Sequence, residues 1–205
     1  MIDRVRYILA VLSVIILPPG LLYWFVIHPW ANRWRRLGPA RTYAIVLPVM
    51  IAFGVLLFRV RARLLGTDLG MNWSLIVIAA PLYGASTWIA FQHWRHLSIA
   101  TMIGVPELSP IEQRKGKLLK DGIYRVVRHP RYLSAGLAVI ANALFVDYVG
   151  VYLLILLLFP LGYPMLVFEE RDLIDRFGEE YRQYQREVPQ LLPRLPRAKR
   201  ESRGM

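Results

Sequence analysis

The sequence predicts an all-α polytopic membrane protein of about five transmembrane helices, closing with a helical hairpin and an amphipathic cytosolic helix. Three observations predict it. The 205 residues are 56% hydrophobic yet carry a formal net charge of +12, a pairing foreign to soluble domains and ordinary in small membrane proteins. Five apolar runs lack internal charge and approach the roughly 17 to 25 residues that cross a bilayer. The lysines and arginines fall mainly between these runs, where they can meet anionic head groups; no nucleic-acid-binding motif accompanies them.

The first run, Tyr7 to Ile27, contains Pro18-Pro19-Gly20, a kink signal that neighbouring helices can accommodate. Met1 to Leu17 has the basic flank and apolar core of a signal peptide, but no small-residue cleavage pattern follows, so it reads as a retained first span. Thr42 to Phe58 and Trp73 to Phe91 are the second and third spans. Leu133 to Val146 is short, and only Asp147 and Tyr148 separate it from Val149 to Phe168, which predicts a tight helical hairpin turning at Asp147. With five spans, 21 of the 26 Lys and Arg lie on one side, which the positive-inside rule makes cytoplasmic. The N-terminus is then outside and the C-terminus inside, as in a bacterial inner membrane. Residues 1–188 read as one domain and 189–205 as a basic, proline-containing tail.

Between the third and fourth spans lies Asp121 to Tyr132, DGIYRVVRHPRY. Pro130 fixes its own φ and biases His129 away from the helical region, so a helix begins here with Pro130 in its first turn. A helix start flanked by Lys120, Arg128 and Arg131 suits an anionic group. After the fifth span, Met165 to Val188 reads as a continuing amphipathic helix. Leu173, Phe177, Tyr181, Tyr184 and Val188 form its apolar stripe, with Glu169 one turn earlier on the same face. A carboxylate facing inward near the membrane boundary needs a partner or a ligand. Glu169 and Glu170 either pair with Arg128 or Arg131 to fasten this helix, or serve a site.

Absence of cysteine excludes a disulfide framework and a thiolate nucleophile. No metal site is expected. Four histidines, with His28 far from His93, His96 and His129 in sequence, are too few for a dimetal centre, and His93 and His96 read as head-group-layer residues beside Trp94.

Two separated blocks carry a resemblance. Gly122, Tyr124 and Arg128 to Tyr132, then Glu169-Glu170, Phe177-Gly178, Tyr181, Tyr184 and Val188-Pro189, resemble the isoprenylcysteine carboxyl methyltransferase family and its bacterial relatives over roughly the C-terminal half. The resemblance implies a membrane enzyme that transfers a methyl group from S-adenosylmethionine to a lipophilic or lipidated acceptor: a carboxylate, an amine, or a phenol or quinol. It implies cofactor contacts on Gly116, Lys117, Leu118, Leu119, Tyr124, His129, Pro130, Arg131, Tyr132 and Glu169. Where an acceptor must lose a proton, Glu170, or a water held by Arg128 and Glu169, is the candidate base. Met165 stands where prenylcysteine enzymes carry an arginine associated with substrate, and Ser134 where they carry glycine, so a carboxylate acceptor is no better matched than the others. The alternatives are an NADPH-dependent membrane reductase of the sterol-reductase type, whose C-terminal pattern is similar, and a non-catalytic lipid-binding membrane protein.

Overall fold

The computed structural model describes residues 1–95 and 118–193. In chain order the helices are α1 (Ile2–Ile27), α2 (Ala31–Leu37), α3 (Pro39–Arg59), α4 (Arg61–Leu65), α5 (Trp73–Trp94), a 3-10 turn (Gly122–Arg125), α6 (Pro130–Val146), α7 (Val149–Phe177) and α8 (Glu179–Glu187). All five expected spans fall inside helices. Four of them, α1, α3, α5 and α7, are long and apolar enough to cross a membrane, and α6 is a shorter apolar helix. Large apolar side chains such as Ile51, Val77 and Leu156 point outward, as they do when hydrocarbon is the solvent. The protein is an all-α integral membrane protein, and α1 runs unbroken through Pro18 and Pro19.

At one end of the bundle, the hairpin end, α6 turns into α7 at Asp147, which adopts the left-handed conformation with φ 53°. Its carbonyl accepts from the Leu69 N–H at 3.0 Å, and Thr67 accepts from Val149 at 3.1 Å. The turn is thus stitched to the chain between α4 and α5. Gly150 opens α7 directly on the α4 backbone: a Cβ there would lie 1.8 Å from the Leu64 carbonyl oxygen, so only glycine fits. Arg6, 1% exposed, fastens the same end. Its Nη2 reaches Asp68 at 2.6 Å and the carbonyls of Gly70 and Val146 at 2.6 and 2.8 Å.

Halfway along the bundle, Asn142 of α6 accepts from Tyr83 of α5 at 3.0 Å and donates to Ser13 of α1 at 2.7 Å. Buried polar groups in an apolar medium are kept by such pairing, and this chain fixes three helices at one level. Near it, Ser86 donates to the Ser134 carbonyl at 2.8 Å, which sets the antiparallel register of α5 on α6.

The structure differs from expectation after the fifth span. The helix stops at Phe177 and restarts at Glu179, because Gly178 takes φ 60°, a conformation glycine adopts at no steric cost. The apolar stripe survives the break: Leu173, Phe177, Tyr181, Tyr184 and Val188 still pack together, around Leu118. Glu179 and Glu180 begin α8, where negative charge suits a helix start. The 29 residues of α7 measure about 43 Å at about 1.5 Å each, more than the roughly 30 Å hydrocarbon core. Its charged turns from Glu169 onward therefore project beyond the apolar span.

Candidate active site

The opposite end, the site end, is built on the start of α6. His129 caps the helix and Pro130 occupies its first turn, as the sequence requires. The segment that leads to this point is held by the chain beyond α8. Arg128 N–H donates to Pro189 at 2.9 Å and His129 N–H to Gln190 at 3.1 Å, so the chain is anchored two residues past Val188.

Glu170 is the hub of a closed polar knot. Its Oε1 accepts from Arg128 Nε at 3.0 Å and Nη2 at 2.7 Å, and lies 3.1 Å from His129 Nε2. Tyr181 approaches the same oxygen at 3.5 Å, and Gln185 donates to Oε2 at 3.0 Å. The other arm of Arg128 donates to the carbonyls of Gln185 and Val188. Partial burial by itself raises the Glu170 pKa, but hydrogen bonds from His129 and Arg128 and the Arg128 charge outweigh it and hold the carboxyl at about 2. A carboxylate held that low is a weak proton acceptor at neutral pH.

Glu169 is differently placed. It meets Arg131 Nη2 at 3.4 Å and stands 3.9 Å from His129 Nδ1, with a quarter of its side chain exposed. The Arg131 guanidinium lies 5.2 Å from the ring centres of both Trp24 and Tyr132, and Trp24 in turn stacks on His28 at 4.6 Å. Tyr124 is buried beside Ile89 and Ile123. Its carbonyl accepts from the Tyr184 hydroxyl at 2.5 Å, and burial pushes its phenol up to about 12, so it stays neutral.

The structure therefore brings Arg128, His129, Pro130, Arg131, Tyr132, Glu169 and Glu170 together, with Tyr124 close by on the preceding turn. Leu118 packs under α8, and Leu119 packs against the Ile89–Tyr124 cluster. Gly116 and Lys117, like His96, lie outside the described residues. Among the described residues no group of three His, Cys, Asp or Glu is arranged to hold a metal ion.

Sequence reasoning named His28 and His93 only in weighing a metal centre and assigned neither to the site. His93 is buried, 2% exposed. His28 closes α1 at this end, where burial lowers its pKa against the pull of Glu169 and Asp172. Nothing in the local sequence of either residue marks it; only the ordering of helices puts both at this end.

Comparison with known proteins decides the family. Residues 74–180, more than half of the chain, match the phospholipid methyltransferase family. The chain belongs to that family. It is 29% identical over 187 residues to the methanethiol S-methyltransferase of Pseudomonas deceptionensis, an alignment covering 80% of this chain and 64% of that one. Over 80 residues it is 32% identical to the protein-S-isoprenylcysteine O-methyltransferase of Schizosaccharomyces pombe, covering 38% of this chain and 34% of that one. Methanethiol S-methyltransferase 2 of Bradyrhizobium diazoefficiens is 41% identical over 80 residues, 36% of this chain and 27% of that one. The chain thus spans less than two thirds of the length of each of these curated relatives. No solved structure matches it.

Proposed function

We propose that this family member is an S-adenosylmethionine-dependent methyltransferase that modifies a lipophilic acceptor at the site end of its helix bundle. The observation that carries the reading is the convergence of a partly exposed carboxylate, a helix start whose N-cap residue, His129, makes no side-chain capping bond, and two tyrosines, in a chain of this family. A methyl-donating amino acid presents an ammonium, a carboxylate and a sulfonium. Glu169 matches the first, the start of α6 with His129 and Arg131 the second, and the faces of Tyr124 and Tyr132 the third.

When bound, the cofactor supplies an electrophilic methyl group. The protein's own part is to hold the acceptor in line with it and to keep water out. Arg128 and Glu170 do this indirectly: their knot locks α8 over the start of α6 and fixes His129. Met165 is buried, 7% exposed, one turn before Glu169, so the wall where prenylcysteine enzymes carry an arginine is apolar here. That favours a neutral acceptor over a carboxylate, and the name of the Pseudomonas relative makes a thiol the first to try. We place the site end in the cytosol of a bacterial inner membrane on the positive-inside rule, with residues 1–188 as the catalytic domain.

The test is thermal stabilisation of the detergent-purified protein by S-adenosylmethionine and, separately, by NADPH, since a ligand that binds only the folded state raises Tm by mass action. Stabilisation by the former alone is the expected result. Stabilisation by NADPH alone would replace this reading with the reductase, and by neither would leave the non-catalytic lipid-binding protein.

A further inference from the structure

Two buried imidazole nitrogens lack a hydrogen-bond partner among the described residues, His28 Nε2 and His93 Nδ1. The Tyr132 hydroxyl is buried too, and Glu169 and Arg131 approach it. His28 and Tyr132 share one neighbourhood, for His28 stacks on Trp24 at 4.6 Å and the Arg131 guanidinium lies 5.2 Å from the ring centres of both Trp24 and Tyr132; the Arg131 charge also reaches His93. They arrive on three different helix ends: His28 closes α1, His93 lies in the last turn of α5, and Tyr132 opens α6. Leaving a buried polar atom unpaired costs about 1–3 kcal/mol. Two at the same end of the bundle mark a place shaped for a partner.

His93 is the most buried of the three. Ile89, one turn earlier on the same face of α5, packs against Ile123, Tyr124 and Leu133. The Ser86 to Ser134 hydrogen bond fixes the register, and continuing it antiparallel sets His93 beside the start of α6. No carboxylate comes within ion-pair distance of His93 among the described residues. On the elements packed against α5, the titratable or charged side chains are Asp121, Tyr124 and Arg125 at the 3-10 turn and His129, Arg131 and Tyr132 at the start of α6. Of these, Arg131 is the one whose charge acts on His93. A buried imidazole with a cation for company and no anion rests neutral. With its proton on Nε2, the Nδ1 lone pair is free.

We propose that His93 is the proton acceptor of the methyl transfer, and that the site therefore takes acceptors that bring a proton into it, a thiol foremost. This rests on the methyltransferase reading above. As the acceptor sulfur bonds to the methyl carbon, the carbon–sulfonium bond breaks with its electron pair going to the departing thioether. The S–H proton passes to His93 Nδ1, and then to solvent from the resulting imidazolium. A carboxylate acceptor, ionised before it binds, has no proton to give. Glu170, saturated with donors, is replaced in this role by a base that is not.

The test uses the full-length protein in nanodiscs with decanethiol and, as contrast, decanoate. His93→Gln is expected to lower kcat for decanethiol by roughly 10²- to 10⁴-fold, while S-adenosylmethionine still raises Tm as in the wild type. The wild-type rate should level off above the imidazole pKa. In the variant it should climb with pH as the free thiol ionises. A readout without cofactor is ¹⁵N NMR of the four histidines: decanethiol should shift one imidazole signal, and that signal should be missing in the variant. If His93→Gln does not fold, His93→Asn and the wild-type NMR titration carry the test. An unchanged rate and pH profile in a folded variant would overturn the proposal. So would methylation of decanoate but not decanethiol, or no decanethiol turnover and no imidazole shift in wild-type protein that binds the cofactor. Failure of S-adenosylmethionine to stabilise the wild type would instead remove the methyltransferase reading beneath it.

Discussion

At the hairpin end, Arg6 spends one guanidinium nitrogen on Asp68 and two carbonyls, from the next loop and from the last residue of α6. At the site end, Arg128 spends all three nitrogens on Glu170 and the carbonyls of Gln185 and Val188. Both are cations largely removed from solvent, and both tie distant segments together, although Arg6 Nε has no hydrogen-bond partner among the described residues. The site end then adds a second, looser pair, Arg131 with Glu169 at 3.4 Å, beside the rings of Trp24 and Tyr132. Among the described residues the hairpin end has no second pair of this kind beside its arginine. The Glu170 knot, with donors on both oxygens, fastens helices; under the function proposed above, the looser Arg131–Glu169 pair beside it is the one that meets a ligand.

Breaking Arg128 should have the largest effect. Arg128→Met leaves Glu170 without its main counter-charge in a mostly buried position, and a loss of about 3–5 kcal/mol is expected in reversible unfolding from mixed micelles. Cofactor-induced stabilisation should fall with it, because His129 loses its support. Gly150→Ala attacks the other end: with its Cβ 1.8 Å from Leu64, α7 must move off α4, at about 3 kcal/mol. The protein that still folds should bind S-adenosylmethionine as before. Arg6→Met should cost about 2 kcal/mol from its lost buried hydrogen bonds, again sparing the cofactor, since Asp68 is 42% exposed and can be solvated.

Glu169→Gln should do the reverse. Its stability change should stay below about 1 kcal/mol, as its pair with Arg131 is long and partly exposed, while cofactor affinity in a calorimetric titration should drop about 10- to 100-fold with the charge-assisted hydrogen bond. Finest of all is the pH dependence of Glu170. Its folded pKa, about 2, lies below the ordinary 4.5, so its contribution is fully present above pH 4.5 and is lost as pH falls toward 2. Glu170→Gln should flatten stability across that window and leave it unchanged in slope above it.

Much of this was legible in the sequence because the governing physics is local. Charge-free apolar runs fix where helices cross, Pro130 fixes where α6 begins, and the Leu173 to Val188 stripe fixes which face of the last segment turns inward. That Glu169 and Glu170 could pair with Arg128 or Arg131 followed from the cost of burying a carboxylate alone; which glutamate meets which arginine did not. The break at Gly178 was also visible, as a glycine followed by two glutamates, but an uninterrupted apolar stripe masked it.

What the sequence by itself determined is the five apolar spans, their family-like motif and the carboxylates that need partners. What only the tertiary structure decided is the division of labour among them: which glutamate is saturated and which stays open, and that His28 and His93, 65 positions apart in the chain, finish at the same end of the bundle. The physical reason is that hydrogen-bond saturation belongs to an arrangement in space. A residue's neighbours along the chain tell whether its burial is costly; its neighbours across helices decide whether that cost is met by the protein or left for a ligand.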